Sequence, residues 1–237
     1  MISDPAGPAD TRIMGIVHSA LRRDLLRTRT VLEAGPVPDN RRGPLADHIL
    51  WMMDFLRHHH EGEDTALYPL VVRLNPDAAA LVHSMDDDHR RIEPAITELE
   101  SAASLFTYPD SDSQARLSAA LTALTDVLLP HLEREELDMM PVVSETLTDA
   151  QWRTWDEDAN IAPKSMVTLG KEGIWLIDGL GADDRDHVVH LVSAIPRFFL
   201  LHVLGIANRR HFAAIWSGTD AAAVPSQPIT RTPGRLP

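Results

Sequence analysis

The chain has 237 residues, no cysteine, and a formal net charge of -13 from 35 acidic and 22 basic side chains. Without cysteine there are no disulfides, thiolate zinc sites, iron–sulfur clusters or cysteine nucleophiles, so any bound metal must be held by nitrogen and oxygen. The acidic balance, with no basic run beyond pairs such as Arg41-Arg42 and Arg209-Arg210, argues against nucleic acid or an anionic membrane as partner. No signal-like N-terminus and no apolar run of spanning length are present, so a cytoplasmic protein is expected.

Residues 1–9, rich in proline and glycine, read as a flexible lead-in. From Asp10 or Thr11 as cap, Met14, His18, Leu21, Leu25 and Leu32 recur at helical steps, with Arg22, Arg23, Arg27 and Arg29 expected on the polar side. A second helix is expected from near Pro44, a favourable first-turn residue, to Asn75-Pro76, with the stripe Leu45, Ile49, Met52, Leu56, His59, Glu63, Ala66 and Leu70. The third carries Val82, Met85, His89, Ile92, Ile96, Leu99, Ala103 and Phe106 and ends in a turn-rich run at 108–113. The fourth carries Leu117, Leu121, Leu124, Leu128, His131, Glu135, Asp138 and Val142. Four such helices joined by short loops predict an all-α, antiparallel up-down four-helix bundle over 10–147.

Inside this pattern one unit occurs twice. His59-x-x-x-Glu63-Asp64 followed by Pro69 is echoed by His131-x-x-x-Glu135-Glu136 followed by Pro141, both H-x-x-x-E-[DE]-x-x-x-x-P. A histidine and a glutamate four residues apart project from one helix face, one turn apart, which is metal-ligand spacing. Counted from the connecting loops, His18, His59, His89 and His131 come to within about two residues of one level. Each takes an aliphatic place in its core stripe. Two buried carboxylates at that level would repel one another, and a cation offsets the cost; a proton-shared hydrogen-bond network is the alternative.

A lone histidine on the first helix, H-x-x-x-E on the second, a histidine on the third and H-x-x-x-E on the fourth resemble the hemerythrin-like, or HHE cation-binding, family over about 10–147. The resemblance implies a non-heme di-iron centre, oxo- or hydroxo-bridged, with His18, His59, Glu63, His89, His131 and Glu135 as metal ligands and the two glutamates able to bridge. It further implies small ligands such as dioxygen, peroxide or nitric oxide. Oxygen-carrying members have H-x-x-x-H on the third helix, whereas here the first of those positions is Met85. One nitrogen fewer implies a more open iron, fast oxidation in air, and chemistry with peroxide or nitric oxide, or sensing, rather than carriage.

The neighbours of these residues are expected elsewhere. His60 and Glu136 lie about 100° around their helices and are expected in outer or surface positions. Glu93 would complete H-x-x-x-E with His89 but falls on the far side of the histidine level, and His58 is expected exposed. Tyr68 is a nearby polar or redox-capable group without supporting spacing. Pro69, Pro94, Pro130 and Pro141 fall inside helical stripes and should bend them, either making room for a small ligand or letting long helices curve.

Beyond Leu147 the pattern changes. Thr148 reads as an N-cap, Trp152, Trp155 and Trp175 as apolar anchors, and glycines divide short helices at 149–160, 163–178 and 184–194; another is expected from Pro196 to Trp216. This C-terminal helical segment, 148–217, should pack on the bundle, and 218–237 reads as a disordered tail. His187, His190, His202 and His211 lack paired acids and read as structural or surface residues. Three function classes follow: a small-gas binder, store or sensor; a di-iron oxidoreductase decomposing peroxide or oxidising a small substrate; and a metal-free helical interaction module.

Overall fold

A computed structural model describes residues 4–108, 110, 112–191 and 205–229, and among them there is helix and loop but no strand. In chain order the bundle region comprises α1 (Arg12–Glu33), α2 (Asp39–Gly62), α3 (Tyr68–Leu74), α4 (Ala79–Phe106), α5 (Ser113–Arg134) and α6 (Met140–Thr146). The expected four-helix bundle is formed by α1, by α2 running on into α3, by α4, and by α5 running on into α6; α4 packs along α2 and α5, and α1 along α5. The apolar stripes meet inside it, with Leu21, Leu25, Leu45, Ile49, Met52, Leu56, Ile92, Ile96, Leu99, Leu124 and Leu128 buried in one core. Each such side chain contributes about 1.5–3 kcal/mol of transfer free energy.

Two details of the long helices depart from expectation. The second helix opens at Asp39 rather than Pro44; Asp39 places a carboxylate at the positive end of the helix dipole, and Pro44 is accommodated inside the helix. The prolines act unequally. Pro94 and Pro130 lie within continuous α-helix. Pro69 and Pro141 cannot donate to the carbonyl four residues back, and their rings crowd it. Just before them the ladder widens: the Tyr68 N–H donates to the Glu63 carbonyl and the Met140 N–H to the Glu135 carbonyl, making π-helical turns of Glu63–Leu67 and Glu135–Met139. The repeated proline thus places the same irregular turn directly after each repeated glutamate.

The C-terminal segment comprises α7 (Asp149–Asp156), a π turn at Glu157–Ile161, α8 (Met166–Ile177), α9 (Ala182–Leu191) and α10 (Gly205–Trp216). Thr148 caps α7 as expected, its hydroxyl accepting from the Gln151 N–H while the Gln151 side chain takes the Thr148 N–H. Trp152, Trp155 and Trp175 are all buried. The first part of the helix expected from Pro196, with His202, lies outside the described residues. Both ends expected to be loose are bonded where described. Ala9, Gly7 and Pro5 exchange backbone hydrogen bonds with the 144–150 turn, and the 3-10 turn Asp220–Ala223 packs on α1 with Ala221 fully buried.

That packing explains a further correction, since the expected polar face of α1 is not a solvent face. Arg23 and Arg27 are 0% and 3% exposed, and Asp24 between them is 0% exposed. Asp24 accepts from Arg23 Nε at 2.7 Å, His48 Nε2 at 2.8 Å and Trp175 Nε1 at 2.8 Å. Arg23 also donates to the Trp175 and Asp178 carbonyls, and Arg27 to the Asp178 carboxylate and the Val224 carbonyl. One carboxylate thereby joins α1, α2 and α8. Burial pushes the Asp24 carboxyl up, but the Arg23 charge and the His48 hydrogen bond outweigh it and hold the group well below the usual carboxylate range.

Replacing Asp24 by alanine should therefore cost about 3–5 kcal/mol in urea unfolding of the full chain, because a buried guanidinium and two ring N–H groups lose their acceptor. A depressed folded-state pKa means that this contribution is complete above the unfolded value of about 3.9 and is lost as pH falls towards the folded one. The wild-type minus Asp24→Ala difference should accordingly hold constant from pH 7 to about 5 and shrink below about 4.

Candidate metal centre

At mid-height of the bundle, α1, α2, α4 and α5 turn histidines inward where the apolar stripe would place leucine. His18, His59, His89 and His131 are each 6% exposed or less, and both glutamates of the repeat are 0% exposed. The common level expected from helix lengths is realised: Nε2 of His18 and His59 lie 3.3 Å apart, and Nε2 of His89 and His131 lie 3.2 Å apart.

The donors fall into two groups. His18, His59 and Glu135 form one, and His60, His89 and His131 the other, with the ligating atoms of each within 4.8 Å of one another. The glutamates link them. Glu63 Oε1 is 3.1 Å from His59 Nε2 and Glu63 Oε2 is 3.6 Å from His89 Nε2. Glu135 Oε2 is 3.3 Å from His18 Nε2 and 3.7 Å from His131 Nε2. Atoms bound 2.0–2.2 Å from one ion lie roughly 3–3.5 Å from each other, which is the spacing seen.

His60 is the residue that reading the sequence misplaced. Far from the surface, it is 6% exposed, stacks on His89 with ring centroids 4.0 Å apart at 10°, and meets His131 edge-on at 5.3 Å. The 100° step from His59 is what brings it in. A bundle helix faces two neighbours, so His59 reaches across to His18 of α1 while His60 reaches α4. Met85, the place of the histidine absent from the third helix of the bundle, is instead fully buried in an apolar cluster with Leu67, Tyr68 and Met139.

Two of the outer nitrogens are hydrogen-bonded to carboxylates, and a third has a carboxylate nearby. Glu136 Oε1 is 3.0 Å from His18 Nδ1, Asp64 Oδ1 is 2.7 Å from His89 Nδ1, and Asp88 Oδ2 is 3.6 Å from His131 Nδ1. A carboxylate on Nδ1 favours the proton there and leaves the Nε2 lone pair turned inward, and it raises the basicity of the donor. Asp64 and Glu136 are the second acids of the two repeat copies, and each serves the histidine of a neighbouring helix. Arg22 Nη1 in turn holds Glu136 at 2.8 Å.

The electrostatics point inward to missing positive charge. Among the described residues no hydrogen bond reaches either oxygen of Glu63 or Oε2 of Glu135, although all three are buried. Burial and the charge of Glu135 push the Glu63 carboxyl well up. Burial pushes Glu135 up as well, but the close approach and charge of His18, whose Nε2 lies 3.3 Å from Oε2, prevail and lower it. Burial lowers His59 to about 3 and His131 to about 4 and takes His60 well down, so these imidazoles are neutral, as ligands must be. His18 departs the other way: burial lowers it, but the nearby Glu135 carboxylate and the hydrogen bond to Glu136 raise it. Neutral nitrogen donors beside facing, unpartnered carboxylates fit a cation pair with nitrogen and oxygen ligands.

Tyr68, the first residue after the π turn of α2, donates its hydroxyl to Glu135 Oε1 at 3.3 Å. Burial followed by the charges of Glu135 and Glu63 raises this phenol, which keeps its proton. Other residues stand apart. Glu93 is half-exposed and pairs with Arg57 at 2.8 Å, His58 is exposed on α2, and His190 and His211 are exposed.

The family described as the hemerythrin HHE cation binding domain matches residues 10–143. No curated protein and no solved structure matches the chain. With more than half of its length covered by that family, and a histidine-carboxylate cluster at the middle of the matched bundle, the chain belongs to the hemerythrin HHE cation-binding family.

Proposed function

We propose that this protein is a non-heme di-iron protein that binds or senses dioxygen, peroxide or nitric oxide, with His18, His59, His60, Glu63, His89, His131 and Glu135 as ligands. The observation that carries the reading is the pair of adjacent three-donor groups with a glutamate oxygen set from both sides between them. His18 and His59 serve one position, His60, His89 and His131 the other, and Glu63 and Glu135 span the two.

The expectation of an open, easily oxidised iron rested on the nitrogen missing at Met85. His60 supplies a fifth imidazole from α2, so a nitrogen shortage gives no reason to set reversible binding below peroxide or nitric oxide chemistry. Bound iron supplies an open coordination position and a change of oxidation state with which small ligands react. The chain does the rest. Asp64 and Glu136 orient the His89 and His18 imidazoles, and Leu56, Ile92 and Leu128, one helical turn from the histidines, keep bulk water away. Tyr68 holds a proton beside Glu135 Oε1, ready for a hydrogen bond to that carboxylate or for transfer. This buried phenol is also the observation that favours the second reading, a di-iron oxidoreductase acting on peroxide or a small substrate. A metal-free interaction module is disfavoured by the unpartnered carboxylate oxygens.

Iron loaded into purified protein and counted by mass spectrometry of the metal should reach about two per chain, falling to about one in His60→Ala and close to none in Glu63→Ala. His58→Ala and His211→Ala should match the wild type. Full occupancy in a folded His60→Ala variant would remove that residue from the centre. Asp64→Asn and Glu136→Gln leave every ligand in place but loosen an imidazole, and competition with a chelator should show iron held about 10–100-fold more weakly.

A further inference from the structure

Beside the centre lies a cavity that the gas-binding reading does not use. It has a volume of about 480 Å³ and lies between α1, α2 and the C-terminal segment, with His59 in its wall. Dioxygen, peroxide and nitric oxide have two heavy atoms or fewer to a side, whereas cavities of roughly 300–1,000 Å³ hold organic ligands. Most of the lining is apolar: Met14 and Phe55 from the bundle, and Trp152, Trp155, Leu169 and Leu176 from the C-terminal helices. The rings of Trp152 and Trp155 lie 4.7 Å apart, and Phe55 stacks on the His59 imidazole, so the aromatic wall runs directly to the metal-facing residue.

The polar part of the lining is unbalanced. Asp156, Glu157 and Glu172 face a single cation, Lys164, whose Nζ is taken by Glu172 at 2.9 Å. Among the described residues, Asp156 receives only the Asn160 amide, at 3.1 Å. Burial pushes the carboxyls of both Asp156 and Glu172 up against the lowering effect of Lys164, so that one cation does not offset the desolvation of the two acids. Indole faces and carboxylates together are the chemistry that recognises an organic ammonium, through cation–π attraction and charge-assisted hydrogen bonding.

We propose that this cavity is a binding site for a small organic amine with an apolar, aromatic-sized body, the body against Trp152, Trp155 and Phe55 and the ammonium towards Asp156, next to His59. The C-terminal segment thereby gives the bundle a ligand site of its own making. Its occupancy does not depend on which cation the centre holds, and the test separates the two questions by using the full chain both iron-loaded and iron-free.

The probes are 1-naphthylmethylamine and its charge-reversed counterpart 1-naphthylacetate, titrated calorimetrically at pH 7. The amine should bind saturably, one per chain, with the acetate at least about tenfold weaker. Gly173, in α8, lines the cavity, and a Cβ added there meets nothing within 4 Å. Gly173→Leu should therefore fold, with helix propensity in its favour, and fill the space, weakening the amine by at least about tenfold. Gly43→Leu, at an equally open glycine of α2 away from the cavity, should bind as the wild type does. Absence of saturable amine binding, equal binding of the acetate, or unchanged amine binding by a folded Gly173→Leu would each overturn the proposal.

Discussion

The structure depends on two carboxylates, Glu63 and Glu135, facing one another at zero exposure in the middle of a four-helix bundle. Like charges in a low-dielectric interior are costly, and no arrangement of leucines around them reduces that cost. Everything at that level answers it: five imidazoles around the two glutamates, carboxylates on the outer nitrogens of two of them, and a phenol on one glutamate oxygen. The same constraint explains why histidine rather than leucine occupies the stripe at one height only. Above and below, the stripe returns to aliphatic residues and packs in the ordinary way.

Much of this was legible in the sequence because the information is local and repeated. The helices follow from apolar periodicity, and the common level of His18, His59, His89 and His131 follows from helix length counted from the loops. Each position of the repeat has a separate physical job: the histidine faces the centre, the glutamate spans it, the second acid holds a neighbouring helix's imidazole, and the proline opens a π turn. The job of the second acid was not readable beforehand, since it requires knowing which helix lies beside which, and the prolines read only as bends, not as π turns. His60 escaped for the same reason. A single inward stripe leaves no place for a residue 100° away, but a helix wedged between two neighbours has two inward directions.

The buried charge on α1 was hidden differently. Arginines spaced along one face look like a solvated surface, and Arg22 and Arg29 give no local sign that Arg23 and Arg27 are unlike them. Only the arrival of Trp175, Asp178 and Val224 from more than a hundred residues away turns that face into an interior, with Asp24 as its anion. The C-terminal segment is therefore joined to the bundle by directional polar bonds as well as by aromatic packing. Such bonds fix one docking arrangement where apolar contact alone would tolerate several. They also set the wall of the cavity beside His59, which no bundle helix could form by itself.

The repeat has one consequence for the relation between the two halves of the bundle. The copies are near-equivalent in ligand, spanning acid, outer acid and proline, so the scaffold approaches an internal twofold. It is broken in the donors where His60 follows His59 but Leu132, buried in the core, follows His131, and again where Tyr68 precedes Pro69 but Met140 precedes Pro141. One imidazole is thus added without a counterpart, giving three nitrogens to one position of the proposed pair and two to the other. Two metals held in this nearly symmetric frame would then meet unequal donor sets, and would differ in affinity and reduction potential rather than act as identical halves.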